Sequence, residues 1–85
     1  MKTFNYTVKD SIGIHARPAG LLAKLAKGYQ SDITLEKDGK SADATRLVSL
    51  MTLGVRHGDT VTVRVNGADE DEAAKAIALF FEQNL

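Results

Sequence analysis

Residues 13 to 20 read Gly-Ile-His-Ala-Arg-Pro-Ala-Gly, and they hold the one grouping in the chain with clear reactive chemistry. His15 offers a nucleophilic ring nitrogen. Arg17 offers a planar, permanently charged guanidinium that fits phosphate oxygens. Pro18 belongs in the first turn of a helix, where an amide has no intrahelical partner to lose. With His15 as the N-cap of that helix, the unpaired amides of Ala16 and Arg17 lie beside the imidazole at the positive end of the dipole. Together these groups form an anion site around a nucleophile. A phosphoryl group on the ring would sit among donors already aimed at it, yet stay open to an acceptor. No nucleotide-binding loop and no second acid or base lies nearby in sequence. The site is therefore suited to carrying a phosphoryl group rather than to taking one from a nucleotide unaided. The same residues also fit a plain polar cap beside a solvated arginine. The other histidine, in His57-Gly58-Asp59, reads as part of a turn. Two histidines 42 residues apart, with no cysteine in the chain, make no convincing metal-ligand set.

The elements that must position His15 follow from hydrophobic spacing. Phe4, Tyr6 and Val8 alternate with Asn5 and Thr7, as a half-buried strand does. Lys9 to Ile14 is a loop broken by Gly13. From Ala16 to Lys27 the apolar residues Leu21, Leu22, Leu25 and Ala26 recur at helical spacing, and Gly28 closes the helix. Ile33 and Leu35 alternate with Thr34 and Glu36 in a second strand. Asp38-Gly39 signals a tight hairpin into a short third strand at 40–43. Leu47, Val48, Leu50, Met51 and Leu53 are too dense for a strand. They predict a helix of about two turns, opened near Thr45 and closed by Gly54. Val61, Val63 and Val65 alternate with Thr60, Thr62 and Arg64 in a fourth strand. Asp69 with Glu72 has the form of a capping box, and the helix behind it carries Ala73, Ile77, Phe80 and Phe81 on one face. The order βαββαβα, with one apolar face per strand, predicts an α+β open-faced two-layer sandwich: a four-stranded sheet with three helices on one face. Asn5, Thr7, Thr34, Glu36, Thr62 and Arg64 are expected on the wet side.

Composition narrows the function classes. Eighty-five residues make one domain with a modest core and little room for a deep internal site. No cysteine excludes a disulfide framework, a thiolate metal site and a cysteine nucleophile. No apolar run reaches the ~20 residues of a membrane span, and the N-terminus enters a strand without a signal-peptide core. A cytoplasmic protein is the expectation. Eleven basic and eleven acidic side chains give no net charge, which argues against general nucleic-acid binding. That balance hides a split. Residues 68–85 carry five acids and one base, and residues 1–67 carry ten bases and six acids. The acids suit the start of the last helix.

Gly13-Ile14-His15-Ala16-Arg17-Pro18-Ala19 resembles the phosphorylation-site signature of the HPr family, the histidine-containing phosphocarriers of the bacterial phosphoenolpyruvate-dependent sugar phosphotransferase system. Asp38-Gly39-Lys40-Ser41, Met51-Thr52-Leu53-Gly54-Val55 and Gly67-Ala68-Asp69-Glu70-Asp71-Glu72 are similar to the family's hairpin, the end of its second helix and the lead into its third. The resemblance implies antiparallel strands and a carrier without cofactor or metal; a monomer is the default expectation for so small a domain. It implies that His15 accepts a phosphoryl group on Nδ1 from phosphorylated enzyme I and passes it to IIA domains of sugar permeases. It implies that Arg17 stabilises that group. Ala16, Pro18, Gly20, Lys24, Lys27, Arg46, Leu47, Val48 and Met51 would form the binding surface. That surface also has a physical reading, since the five apolar residues of the second helix cannot all be buried by two turns.

One position departs from the pattern. In many family members a serine stands where this chain has Arg46, and in one bacterial group that serine is phosphorylated by a dedicated kinase. Arg46 removes that route, while Thr45 and Ser49 flank it without any distinguishing signal. A carrier in a nitrogen-related branch keeps the same histidine. A non-catalytic interaction module of the family does not, so His15 weighs against that reading.

Overall fold

The computed structural model describes residues 1–85. Its elements are β1 (Lys2–Thr7), α1 (Ala16–Lys27), β2 (Asp32–Lys37), β3 (Lys40–Asp43), α2 (Leu47–Thr52), β4 (Thr60–Asn66) and α3 (Glu70–Asn84). All strand pairings are antiparallel, in the order β1-β4-β2-β3. The predicted α+β open-faced sandwich is therefore the observed one. Register puts Phe4 opposite Val63, Tyr6 opposite Val61, Leu35 opposite Val63 and Ala42 opposite Leu35, all toward the helices. The other face carries Asn5 opposite Thr62 and Thr34 opposite Arg64. It is laced by a Thr62-to-Asn5 hydrogen bond of 2.8 Å and an Arg64–Glu36 ion pair of 2.9 Å. The hairpin forms because Asp38 and Gly39 both take positive φ, 52° and 78°, as a two-residue turn between right-twisted strands requires.

The core lies between sheet and helices. Phe81 is fully buried and takes Phe4 and Tyr6 edge-on at 6.3 and 5.3 Å. Burying such a ring contributes about 2–3 kcal/mol before the edge contacts are added. The Tyr6 hydroxyl donates to the Phe81 carbonyl at 3.1 Å, so this polar tip is satisfied.

Two expectations are corrected. In α1 the buried side is Pro18, Ala19, Leu22, Ala23 and Ala26, whereas Leu21 is 45% exposed and Leu25 is half-buried. Leu22 and Ala26 are buried as expected, but Ala19 and Ala23, rather than Leu21 and Leu25, complete the stripe. Asp69 occupies the N-cap of α3, but its carboxylate makes no cap hydrogen bond. It accepts instead from the Gln30 and Ser31 amides at 2.9 Å and from the Ser31 hydroxyl at 2.5 Å. Glu70, not Glu72, reaches back to the Gly67 amide. Smaller shifts leave α2 beginning at Leu47 and β1 ending before Val8.

The Ser31 hydroxyl, helped by the Gln30 amide, holds the Asp69 carboxyl below its usual range. A depressed carboxyl stabilises the fold above the unfolded-state value of about 3.9, and that contribution is lost as pH falls through the lower folded value. Asp69→Ala is expected to lower Tm by on the order of 5 °C near pH 7. Thermal scans should show the gap to the unsubstituted protein closing below about pH 4.

Candidate functional site

His15 is the N-cap of α1, in extended conformation, and its carbonyl accepts the first helical bond from Ala19 at 2.9 Å. Its imidazole is half-buried and makes no hydrogen bond within the chain, so capping does not occupy the ring. The amides of Ala16 and Arg17 have no acceptor, and Pro18 has no amide to satisfy. The Arg17 side chain is exposed and joins none of the five ion pairs. The unbonded imidazole, the unpaired Arg17 and the two free amides thus all belong to the positive end of one twelve-residue helix.

The depression at this place, about 240 Å³, is lined by His15, Arg17, Pro18 and Leu21 and also by Asp10, Gln83 and Asn84. The last three were not singled out from the sequence. Asp10 had a local signal, an aspartate three residues before a glycine, which marks a turn. Gln83 and Asn84 had none, because only the packing of α3 beside α1 brings them there.

The loop before His15 is held on several sides. Asp10 Oδ2 accepts from the Ile12 and Gly13 amides at 3.1 and 3.2 Å. The amides of Lys9 and Asp10 donate to the Leu85 main-chain oxygen at 2.5 and 2.6 Å. His57 is in a turn, as expected, but its Nδ1 also faces the carbonyls of Lys9 and Asp10 at 3.1 and 3.3 Å. The Ile14 amide donates to the Val55 carbonyl at 3.0 Å. The 54–59 segment is itself pinned by Lys37, whose Nζ donates to the Gly54 carbonyl and pairs with Asp59, both at 2.9 Å. The Lys37 ammonium, with the Arg56 amide, keeps the Asp59 carboxyl below its usual range.

The remaining predicted residues divide by exposure. In α1, Ala16, Lys24 and Lys27 are exposed and Gly20 is half-buried. At about 100° per residue these four share one sector of the helix. Leu21 lies on the flank of the helix that lines the depression together with Gln83 and Asn84. Leu50 of α2 and Leu53 at its C-cap are buried, whereas Leu47, Val48 and Met51 are 41, 74 and 44% exposed. Arg46 is the exposed N-cap of α2. The Thr45 hydroxyl is taken up by the Asp43 carboxylate at 2.7 Å, which pulls that carboxyl down. The two helices pack against each other, so the polar sector of α1 and the apolar patch of α2 belong to the same side of the sheet.

The site is thus a half-buried, unbonded imidazole at a helix start on an open-faced sandwich. The family model described as the PTS HPr component phosphorylation site matches residues 2–83. The chain is 42% identical over 85 residues to the phosphocarrier protein HPr of Mycoplasma genitalium, covering 99% of this chain and 97% of that one. The crystal structure of HPr from Thermoanaerobacter tengcongensis superposes with a TM-score of 0.92 at 39% identity, over 96% of this chain and 92% of that one. A second structure from that organism, described as an HPr dimer, gives 0.77 at 38% identity, over 98% and 95%. The chain belongs to the HPr family of phosphocarriers of the phosphotransferase system.

Gly13 sits at φ +88°, and a Cβ there would lie 2.4 Å from the Val55 carbonyl oxygen. Gly13→Ala is expected to cost about 2 kcal/mol or more in urea unfolding, because the conformation and the close contact are both lost.

Proposed function

We propose that His15 is the phosphoryl acceptor and that Arg17 and the Ala16 and Arg17 amides hold the phosphoryl oxygens. The observation that carries this reading is the imidazole left without a hydrogen bond beside two free amides and an unpaired guanidinium. The ring nitrogen Nδ1 forms a bond to phosphorus while the donor's bond to phosphorus breaks and its electron pair stays with the donor. In the onward step the roles reverse, and the His15 electron pair returns to the ring. The donor is phosphorylated enzyme I and the acceptors are IIA domains. The chain is a carrier, not an enzyme: it is enzyme I's substrate, and it needs no cofactor because its partners supply the group and receive it.

The partners dock on the face formed by Ala16, Gly20, Lys24, Lys27, Arg46, Leu47, Val48 and Met51. Apolar side chains give that face its contact area, and Met51 repacks easily for different partners. The bases speed encounter with acidic partners more than they tighten binding. Residues 1–85 act as one HPr-like domain in the cytoplasm. The working species is a monomer that presents this face to donor and acceptor in turn; a dimer could serve only if the face stayed free. Arg46 removes serine-directed control at that position.

Incubation with enzyme I and phosphoenolpyruvate should put an acid-labile phosphate on His15, seen by mass spectrometry, with His15→Ala blank. Arg17→Ala should slow transfer by about ten- to a hundredfold with Tm unchanged. Absence of label on the unsubstituted protein would remove the proposal.

Arg46→Glu should slow association with enzyme I by about tenfold at low salt, the deficit shrinking as ionic strength rises. Unchanged transfer rates to and from the chain would take Arg46 out of the docking face.

A further inference from the structure

We propose that Asp10 sets how readily the phosphoryl group leaves the chain, by placing a fixed negative charge on the wall of the depression that receives it. The proposal rests on the reading of His15 as acceptor. Asp10 lines the same small depression as His15 and Arg17. The side chain cannot swing across to neutralise Arg17 without abandoning the Ile12 and Gly13 amides, and no Asp10–Arg17 pair is formed. Its own main chain is fixed too, with the amide on the Leu85 oxygen and the carbonyl facing His57. The carboxylate is therefore held at the site rather than drifting in solvent.

A phosphoryl group on His15 brings further negative charge into this space. Arg17 and the helix amides attract it, and Asp10 repels it. The two effects act on the loaded state in opposite senses. In hydrolysis, a water oxygen bonds to phosphorus as the nitrogen–phosphorus bond breaks. The electron pair stays on the ring, which takes up a proton, and inorganic phosphate departs. Departure relieves the repulsion from Asp10, so the carboxylate raises the energy of the loaded state relative to the free one. The same relief favours transfer to an acceptor protein.

Asp10→Asn tests the charge alone, because the amide oxygen still accepts from Ile12 and Gly13. The phosphorylated protein is isolated and its loss of phosphate followed by mass spectrometry at neutral pH. Asp10→Asn should lose phosphate about three- to tenfold more slowly at low ionic strength, and the difference should shrink as salt is added. The loaded fraction at equilibrium with enzyme I and phosphoenolpyruvate-derived phosphate should rise in step. Asp10→Ser, which keeps an acceptor for the two amides, should behave the same way. Equal or faster loss from both variants, or a difference indifferent to salt, would overturn the proposal. A failure of His15 as acceptor shows itself separately, since the unsubstituted protein would then take no label at that residue.

Discussion

The close approach of Gly13 to Val55 is the contact on which the site depends. The glycine lies at a φ that side chains avoid, with the neighbouring carbonyl where a Cβ would stand. The next residue, Ile14, donates to that same carbonyl and is buried. One residue further on, α1 begins with His15 as its cap. Moving this junction would move the helix start, and with it the ring and the unpaired amides. The supports behind it, Lys37 on Gly54 and Asp59 on Arg56, come from the hairpin and from the turn before β4. The sheet thus fixes the start of a helix that lies outside it.

Much of the fold could be read from the sequence because its signals are local. Alternating valines specify β4, an Asp-Gly pair specifies the hairpin, and α1 runs from Ala16 to Lys27 as spacing implies. The misreadings are non-local. Leu21 looks like a core residue until the helix is seen to turn Ala19 and Ala23 inward in its place. Asp69 looks like a cap until Gln30 and Ser31, almost forty positions earlier, arrive beside it. The site shows the same division. His15 and Arg17 are legible because residues two apart at a helix start share an end. Asp10 had a weak turn signal, and Gln83 and Asn84 come near only through tertiary packing.

The charge balance also takes on a spatial meaning. Acids gather at the start of α3, where the dipole favours them. Arg17, Lys24 and Lys27 stand on α1, and Arg46 stands at the start of α2. A net charge of zero therefore coexists with a positive side around the imidazole. Steering depends on that local field rather than on the total.

The second helix has a consequence of its own. It is six residues long, has no side-chain cap, and carries neither acids in its first turn nor bases in its last. An isolated helix of this length would not form in water. It persists because Leu50 and Leu53 are anchored in the core, while its outer side chains are unsupported. Such an element sits at the low end of the local stability scale. Its amides should exchange with solvent well before those of β4. The exposed side chains of α2 thus ride on a helix held chiefly by its two leucine anchors, while the start of α1 is tied to the Val55 main chain through Gly13 and Ile14.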